Sequence, residues 1–229
     1  MSRQLLMIRH GQTTYNATGR MQGHLDTELS AEGIAQADFV GELLQDRGIT
    51  KIISSDLMRA VDTASRVATR LGLTFTTDAR LRETDLGQWQ GKSSAEVDEE
   101  FPGARAIWRH DPGFAPPGGE SRIEVGKRAR AVVDELMRNW DDGAVLLVTH
   151  GGLISSLACN LLSFDLEQYR ILSGLQNTHW AQFTARPAFD EDNPAAPATF
   201  TPDNVDNVSW YLDGWNMGAR VRGGAGADV

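Results

Sequence analysis

The chain has 229 residues, a length suited to one large domain or to one domain carrying a long insertion. Hydrophobic residues make up 41% and charged residues 23%, which excludes collagen-like, low-complexity and wholly disordered classes. A formal net charge of −9 argues against a broad nucleic-acid footprint, although a few arginines converging in a cleft can still hold an anionic substrate. No apolar run approaches the ~18–20 residues that a membrane span needs. The stretch 5–8 is too short for a signal-peptide core, and Arg9 and His10 follow it directly. The single cysteine, Cys159, cannot form an internal disulfide and gives no CxxC spacing. The expectation is a cytoplasmic protein with no nucleic-acid or membrane partner.

Residues 4–8 (QLLMI) form a short continuous apolar run, as expected of a strand buried on both faces. Ser30 is a candidate N-cap for a helix whose stripe is Ile34, Ala37, Val40, Gly41 and Leu44. Residues 49–54 (ITKIIS) read as a second strand, followed by a helical stripe of Ala60, Ala64, Val67, Ala68 and Leu71. Residues 74–77 allow a further short strand. From about 85 to 120 the pattern changes. Ser93 and Glu96 have capping-box spacing and predict a short helix, with Glu96–Glu100 as its solvated face. Pro112, Pro116, Pro117, Gly118 and Gly119 then force a loop, so the region reads as an inserted cap over the sheet.

A long helix follows, with Val125, Ala129, Val132, Val133, Leu136, Met137 and Trp140 on one face. Residues 144–149 (AVLLVT) repeat the buried-strand pattern, and 152–162 form a mostly apolar helix with Cys159 as a core filler. Residues 178–185 and 207–213 alternate like half-exposed strands toward a sheet edge. The stretch 186–204 holds four of the eight prolines and reads as a surface loop, and 218–229 as a disordered tail. Strands alternating with helices predict a three-layer α/β/α sandwich with a mainly parallel sheet and an inserted cap, as one domain over 1–217.

Ligands of open parallel sheets bind beyond the carboxyl ends of the strands. After the first strand comes Arg9-His10-Gly11; after the second, Ser54-Ser55-Asp56 leading to Arg59; after 144–149, His150-Gly151-Gly152. Glu83 lies in a turn between Leu81 and Gly87. Singly, each has a bland explanation: a hydrogen-bonded structural histidine, a solvated arginine or glutamate, a glycine pair that permits a tight turn. Their joint placement on one rim is what points to chemistry.

The segment Ile8-Arg9-His10-Gly11-Gln12-Thr13 resembles the signature of the histidine phosphatase superfamily, which includes cofactor-dependent phosphoglycerate mutases and many phosphatases. The resemblance extends over about residues 4–185. It takes in Asn16, Gln22-Gly23, Asp26 to Ser30, Gly33, the run from Ser54 to Ala64, Leu81-Arg82-Glu83, Gly87, Trp89-Gln90-Gly91 and Val148-Thr149-His150-Gly151. It implies that His10 is a nucleophile forming a phosphohistidine, through Nε2, and that Glu83 gives a proton to the leaving alkoxide. Glu83 would then take one from the attacking water. That role asks for a raised carboxyl pKa, from desolvation or from the substrate phosphate. Arg9 and Arg59 suit a phosphoryl group because planar forks give paired donors that lysine lacks. His150, if protonated, adds a cation, Asn16 a neutral donor, and Gln22 and Gly151 line the substrate site, although Gln22 has a loop-ordering alternative.

Nothing resembles a P-loop or an acidic Mg²⁺ cluster, and His24, His110 and His179 lack HExxH or comparable spacing, so no metal or cofactor is expected. The implied partner is a small anionic phosphate ester; whether the chain pairs into a homodimer stays open. Two rivals are a phosphoglycerate mutase and a non-catalytic binding module. The residues from Leu81 to Trp89 resemble the phosphatases more than the mutases, and none of the five core residues is missing. The cap stretch around Arg105, Trp108, Arg109 and Glu120, with the late segment Trp210 to Asn216, resembles one subgroup of phosphatases acting on a phosphorylated sugar acid. Arg105 or Arg109 would meet its carboxylate and Trp108 its sugar face, with cap packing as the plain alternative.

Overall fold

The computed structural model describes residues 3–140, 143–189, 191, 194 and 199–219. Six strands form one sheet: β1 (Arg3–Arg9), β2 (Ile49–Ser54), β3 (Phe75–Thr77), β4 (Ala144–Thr149), β5 (Trp180–Pro187) and β6 (Val208–Met217), in the order β3-β2-β4-β1-β5-β6. The pairs β3·β2, β2·β4 and β4·β1 are parallel, while β5 runs antiparallel to both β1 and β6. The helices are α1 (Thr14–Ala17), α2 (Ala31–Leu43), α3 (Met58–Leu71), α4 (Ser94–Glu100), α5 (Ala104–His110), α6 (Arg122–Arg138) and α7 (Gly151–Leu161).

Alternate side chains of a strand face opposite ways, and here both ways are covered. Leu5 and Met7 of β1, with Val145 and Leu147 of β4, pack against α6 and α7 through Val125, Val133, Leu153 and Leu157. Leu6, Ile8, Leu146 and Val148 pack the other way, onto Val40 of α2 and Ala60, Ala64 and Val67 of α3. The sheet is thus the middle layer of three, and the uninterrupted apolar runs of β1 and β4 follow from having no solvated face.

Three expectations change. β5 is an interior strand, buried along most of its length, because β6 covers its outer edge; only β6 has the half-exposed character expected of both. In α2 the buried face is Gly33, Ala37, Val40 and Gly41, whereas Ile34 is 37% exposed beside a groove between α2 and α3. Ala37, Val40, Gly41 and Leu44 of the expected stripe are buried and only Ile34 departs, because the contact that seats the first turn of α2 uses a glycine: a Cβ on Gly33 would lie 1.9 Å from the Gln12 carbonyl oxygen. The inserted region contains a second short helix, α5, which starts from Gly103 at φ 78° and carries no side-chain cap that a sequence could announce. The helix expected from Ser93 is α4, with its reciprocal capping box to Glu96. The cap core is Leu86, Trp89 and Val97, flanked by Met21, Phe101, Trp108 and Phe114. Of the tail expected over 218–229, residues 220–229 lie outside the described residues, as do 190, 192, 193 and 195–198 of the proline-rich stretch.

Candidate active site

β1 and β4 are neighbours in parallel register with Arg9 opposite Thr149, so His10 and His150 occupy the next rung, just past the strand ends. His10 N–H donates to the Thr149 carbonyl at 2.9 Å, and the two imidazole centroids are 5.2 Å apart. The turn after β1 is drawn onto the two helices of its face. Gly11 N–H donates to Thr63 Oγ1 of α3 at 3.0 Å, and a Cβ on Gly11 would lie 2.4 Å from the Gly33 carbonyl oxygen.

His10 is buried, and its two ring nitrogens have partners of opposite kind. Nδ1 lies 2.7 Å from the Gly11 carbonyl, which can only accept, and Arg59 Nε donates to Nε2 at 3.3 Å. The proton therefore sits on Nδ1, leaving the Nε2 lone pair toward the arginine. Burial, then the charges of Arg59 and Arg9, hold the His10 pKa well below its usual 6.5, so the ring is neutral at physiological pH.

Arg59, in the first turn of α3, is fully buried. Its other nitrogens donate to the Leu25 carbonyl (Nη1, 2.9 Å) and the Gly23 carbonyl (Nη2, 2.8 Å), and burial lowers its pKa to about 10. Arg9 donates through Nη1 to the Leu175 carbonyl at 2.7 Å, while its Nε is shielded from solvent without a hydrogen-bond partner; burial lowers its pKa as well. Among the described residues, neither guanidinium makes an ion pair with a carboxylate. Two shielded positive charges without a bonded counter-ion are costly unless something anionic completes the site.

His150 is buried too. Its Nε2 is 2.9 Å from Ser55 Oγ and its Nδ1 has no partner. Burial, with the charges of Arg59 and Arg9, pushes its pKa well below 6.5. The conditional reading of His150 as a cation does not describe this state: the ring is neutral and offers a hydrogen bond rather than a charge.

Glu83 closes the group from the side of α7. Its Oε2 accepts from Gly152 N–H at 3.0 Å and its Oε1 from Leu153 N–H at 3.0 Å and Thr84 N–H at 2.8 Å. The carboxylate thus caps the start of α7, where unpaired amides and the helix dipole favour an acceptor. Of the glycine pair, space demands only the second. A Cβ on Gly151 would meet Arg9 Cδ at 3.4 Å, and one on Gly152 would lie 2.5 Å from Glu83 Oε1.

Asn16 and Gln22 lie at the margin. Asn16 Oδ1 accepts from Thr13 N–H at 3.1 Å and from Asn177 Nδ2 at 3.3 Å; Asn177 also donates to the His10 carbonyl at 3.0 Å. Gln22 Oε1 accepts from Thr13 and Thr27 hydroxyls at 2.9 and 2.5 Å, the loop-ordering alternative. In the cap, Trp108 packs edge-on against Trp89 with centroids 6.0 Å apart, and Arg105 pairs with Asp98 at 2.8 Å. These contacts fit the cap-packing alternative. Arg109 is exposed. Sequence reasoning gave no role to Ser55, Asn177 or the Leu175, Gly23 and Leu25 carbonyls, since each acts on the site through a contact distant in the chain.

The family profile for the histidine phosphatase superfamily (branch 1) matches residues 5–189. The chain is 43% identical over 228 residues to glucosyl-3-phosphoglycerate phosphatase of Mycobacterium tuberculosis, covering 96% of this chain and 97% of that protein. It is 36% identical over 170 residues to a Yersinia pestis protein named as a probable phosphoglycerate mutase, covering 74% and 79%. Among solved structures, a mycobacterial glucosyl-3-phosphoglycerate phosphatase in complex with VO3 superposes with a TM-score of 0.83 at 43% identity, covering 94% of this chain and all of that one.

Proposed function

The chain belongs to the histidine phosphatase superfamily, and on that premise we propose that it hydrolyses glucosyl-3-phosphoglycerate, or a closely related phosphorylated sugar acid, through a phosphohistidine on His10. The observation that carries this reading is the pair of shielded guanidiniums, Arg9 and Arg59, without a bonded carboxylate and flanking a neutral imidazole whose lone pair faces one of them. The choice of substrate draws on relatives aligned over nearly the whole chain, against the shorter and weaker match to a mutase.

In the proposed reaction the phosphate takes the donors of Arg59 and Arg9, and His10 Nε2 is freed to attack phosphorus. The P–N bond forms as the P–O bond to the glycerate oxygen breaks, and a proton passes from the Glu83 carboxyl group to that oxygen. The sugar-acid alcohol leaves. Water then attacks the phosphohistidine, Glu83 takes its proton, the P–N bond breaks, and phosphate departs with His10 restored. The charge building on the phosphoryl oxygens meets donors already in place, which is where most of the acceleration arises. His150 adds a neutral N–H, and Asn16, Gln22 and Gly151 stand at the edge of the phosphate position. The single cysteine, free and buried, suits a cytoplasmic enzyme.

The test compares kcat/KM for glucosyl-3-phosphoglycerate, 3-phosphoglycerate and p-nitrophenyl phosphate, and asks whether 3-phosphoglycerate isomerises when primed with 2,3-bisphosphoglycerate. The first substrate should be hydrolysed most efficiently, with no isomerisation. Equal efficiency on all three would remove the substrate assignment, and isomerisation faster than hydrolysis would establish a mutase instead.

A further inference from the structure

The main chain of Glu83 is held by contacts that the scheme above leaves without a role. Its carbonyl oxygen accepts from Arg128 Nη2 at 2.7 Å and lies 2.8 Å from His24 Nε2. Arg128 projects from α6, and its Nη1 donates to the Arg80 carbonyl at 2.7 Å. Its Nε and Nη2 clasp the Glu120 carboxylate at 3.0 and 2.6 Å. Glu120 ends the cap: its Oε1 accepts from Asp85 N–H, and its own N–H donates to the Asp85 carbonyl, both at 2.9 Å. Arg128 therefore fixes two main-chain oxygens, at positions 80 and 83, that bracket the turn presenting the carboxyl group. His24 follows Gly23, whose carbonyl Arg59 holds, so the second contact links the same turn to the loop under the anion-binding arginine.

We propose that Arg128, seconded by His24, is a positioning residue that sets where the Glu83 carboxyl group stands. The proposal rests on the reading of Glu83 as the proton donor. The ion pair with Glu120, itself largely shielded from solvent, would alone do no more than tie α6 to the end of the cap. What distinguishes Arg128 is that one planar fork reaches a carboxylate and two carbonyls together, a geometry a lysine cannot reproduce. Proton transfer needs the carboxyl oxygen within hydrogen-bond reach of the departing oxygen, and a misplacement of about 1 Å can cost on the order of 100-fold in rate.

The loss in kcat/KM, which reports only the steps up to departure of the leaving group, should be confined to substrates that need the proton. An alkoxide such as that of glycerate requires it as the P–O bond breaks, whereas 2,4-dinitrophenolate departs without it. The measurement is kcat/KM for 3-phosphoglycerate and for 2,4-dinitrophenyl phosphate in wild type, Arg128→Gln, Glu83→Gln and the double variant. Arg128→Gln should lower the value for 3-phosphoglycerate by about 30–100-fold and that for the aryl ester by less than about threefold. It should add nothing to the loss already present in Glu83→Gln. Arg128→Lys should restore only part. If Arg128→Gln fails to fold, His24→Ala, which removes the other partner of the same carbonyl, should give a smaller loss with the same leaving-group dependence. Equal losses on the two substrates, or a loss fully additive with Glu83→Gln, would overturn the role of Arg128. If Glu83→Gln itself showed no leaving-group dependence, the reading of Glu83 would fall, and the proposal with it.

Discussion

Replacing Gly152 by alanine should disturb the carboxyl group while leaving the phosphate donors alone. A Cβ at this position would lie 2.5 Å from Glu83 Oε1 and 3.1 Å from Thr84 Oγ1, about 0.9 Å short of ordinary contact with the carboxylate. The carboxyl group must retreat by about that distance, giving up the amide of Gly152 or of Leu153. A shift of about 1 Å corresponds to roughly 100-fold in each step that needs Glu83 in place. With 2,4-dinitrophenyl phosphate the first step needs no proton, but hydrolysis of the phosphohistidine still needs Glu83 as base. Gly152→Ala should therefore release dinitrophenolate in a burst near one equivalent, and acid-labile label should accumulate on His10. Rapid mixing with alkaline quench of the labelled enzyme reads both. Turnover within threefold of wild type, with no burst, would refute the link between this glycine and the position of the acid.

Arg59→Lys keeps the charge but loses the fork that now serves His10, Gly23 and Leu25, so kcat/KM should fall by about 10²–10³-fold. Vanadate inhibition should weaken in parallel, and near-wild-type activity would remove Arg59 from the phosphate. His10 and His150 are both held well below their usual pKa, so below pH 6.5 the unfolded chain binds protons that the native protein refuses. Their stabilisation is thus complete above pH 6.5 and is lost as pH falls, at up to about 1.4 kcal/mol per pH unit for each ring. Urea unfolding between pH 7 and 5 should show this slope and His150→Gln should reduce it, whereas an unchanged slope would contradict the burial argument. Asp56 and Asp78, lowered from 3.8, act at more acid pH and do not confuse the window.

The parts of this fold that were legible are those set by local period. β1 and β4 announced themselves because both faces are covered, and α3 and α6 because their buried stripes are apolar in every turn. Ile34 misled because the tightest contact of α2 is made by Gly33, a residue with no side chain to count. α5 escaped because it is seven residues long and begins after a left-handed glycine. At the site, residue types following strands located Arg9, His10, Arg59, Glu83 and His150. A neutral His10 was to be expected beside two arginines, whereas the neutrality of His150 was not legible, since it depends on burial and on charges from other elements. Nor were the roles of Arg128 and His24, whose contacts with Glu83 span 45 and 59 residues of chain.

The one-rung offset of the two histidines has a wider consequence. Adjacent strands are spaced at about 4.8 Å by their hydrogen bonds, and the imidazole centroids stand at 5.2 Å, close to that pitch. The sheet acts as a ruler for the reacting groups, and no loop length enters the measurement. Some 140 residues separate His10 from His150 along the chain, including the whole cap, yet insertions there leave the ruler unchanged. A lineage can therefore rework the cap for new leaving groups while inheriting the phosphate end intact. A slip of one residue between β1 and β4 has no such latitude, because it would part the histidines and turn every core side chain of the strand toward the wrong layer.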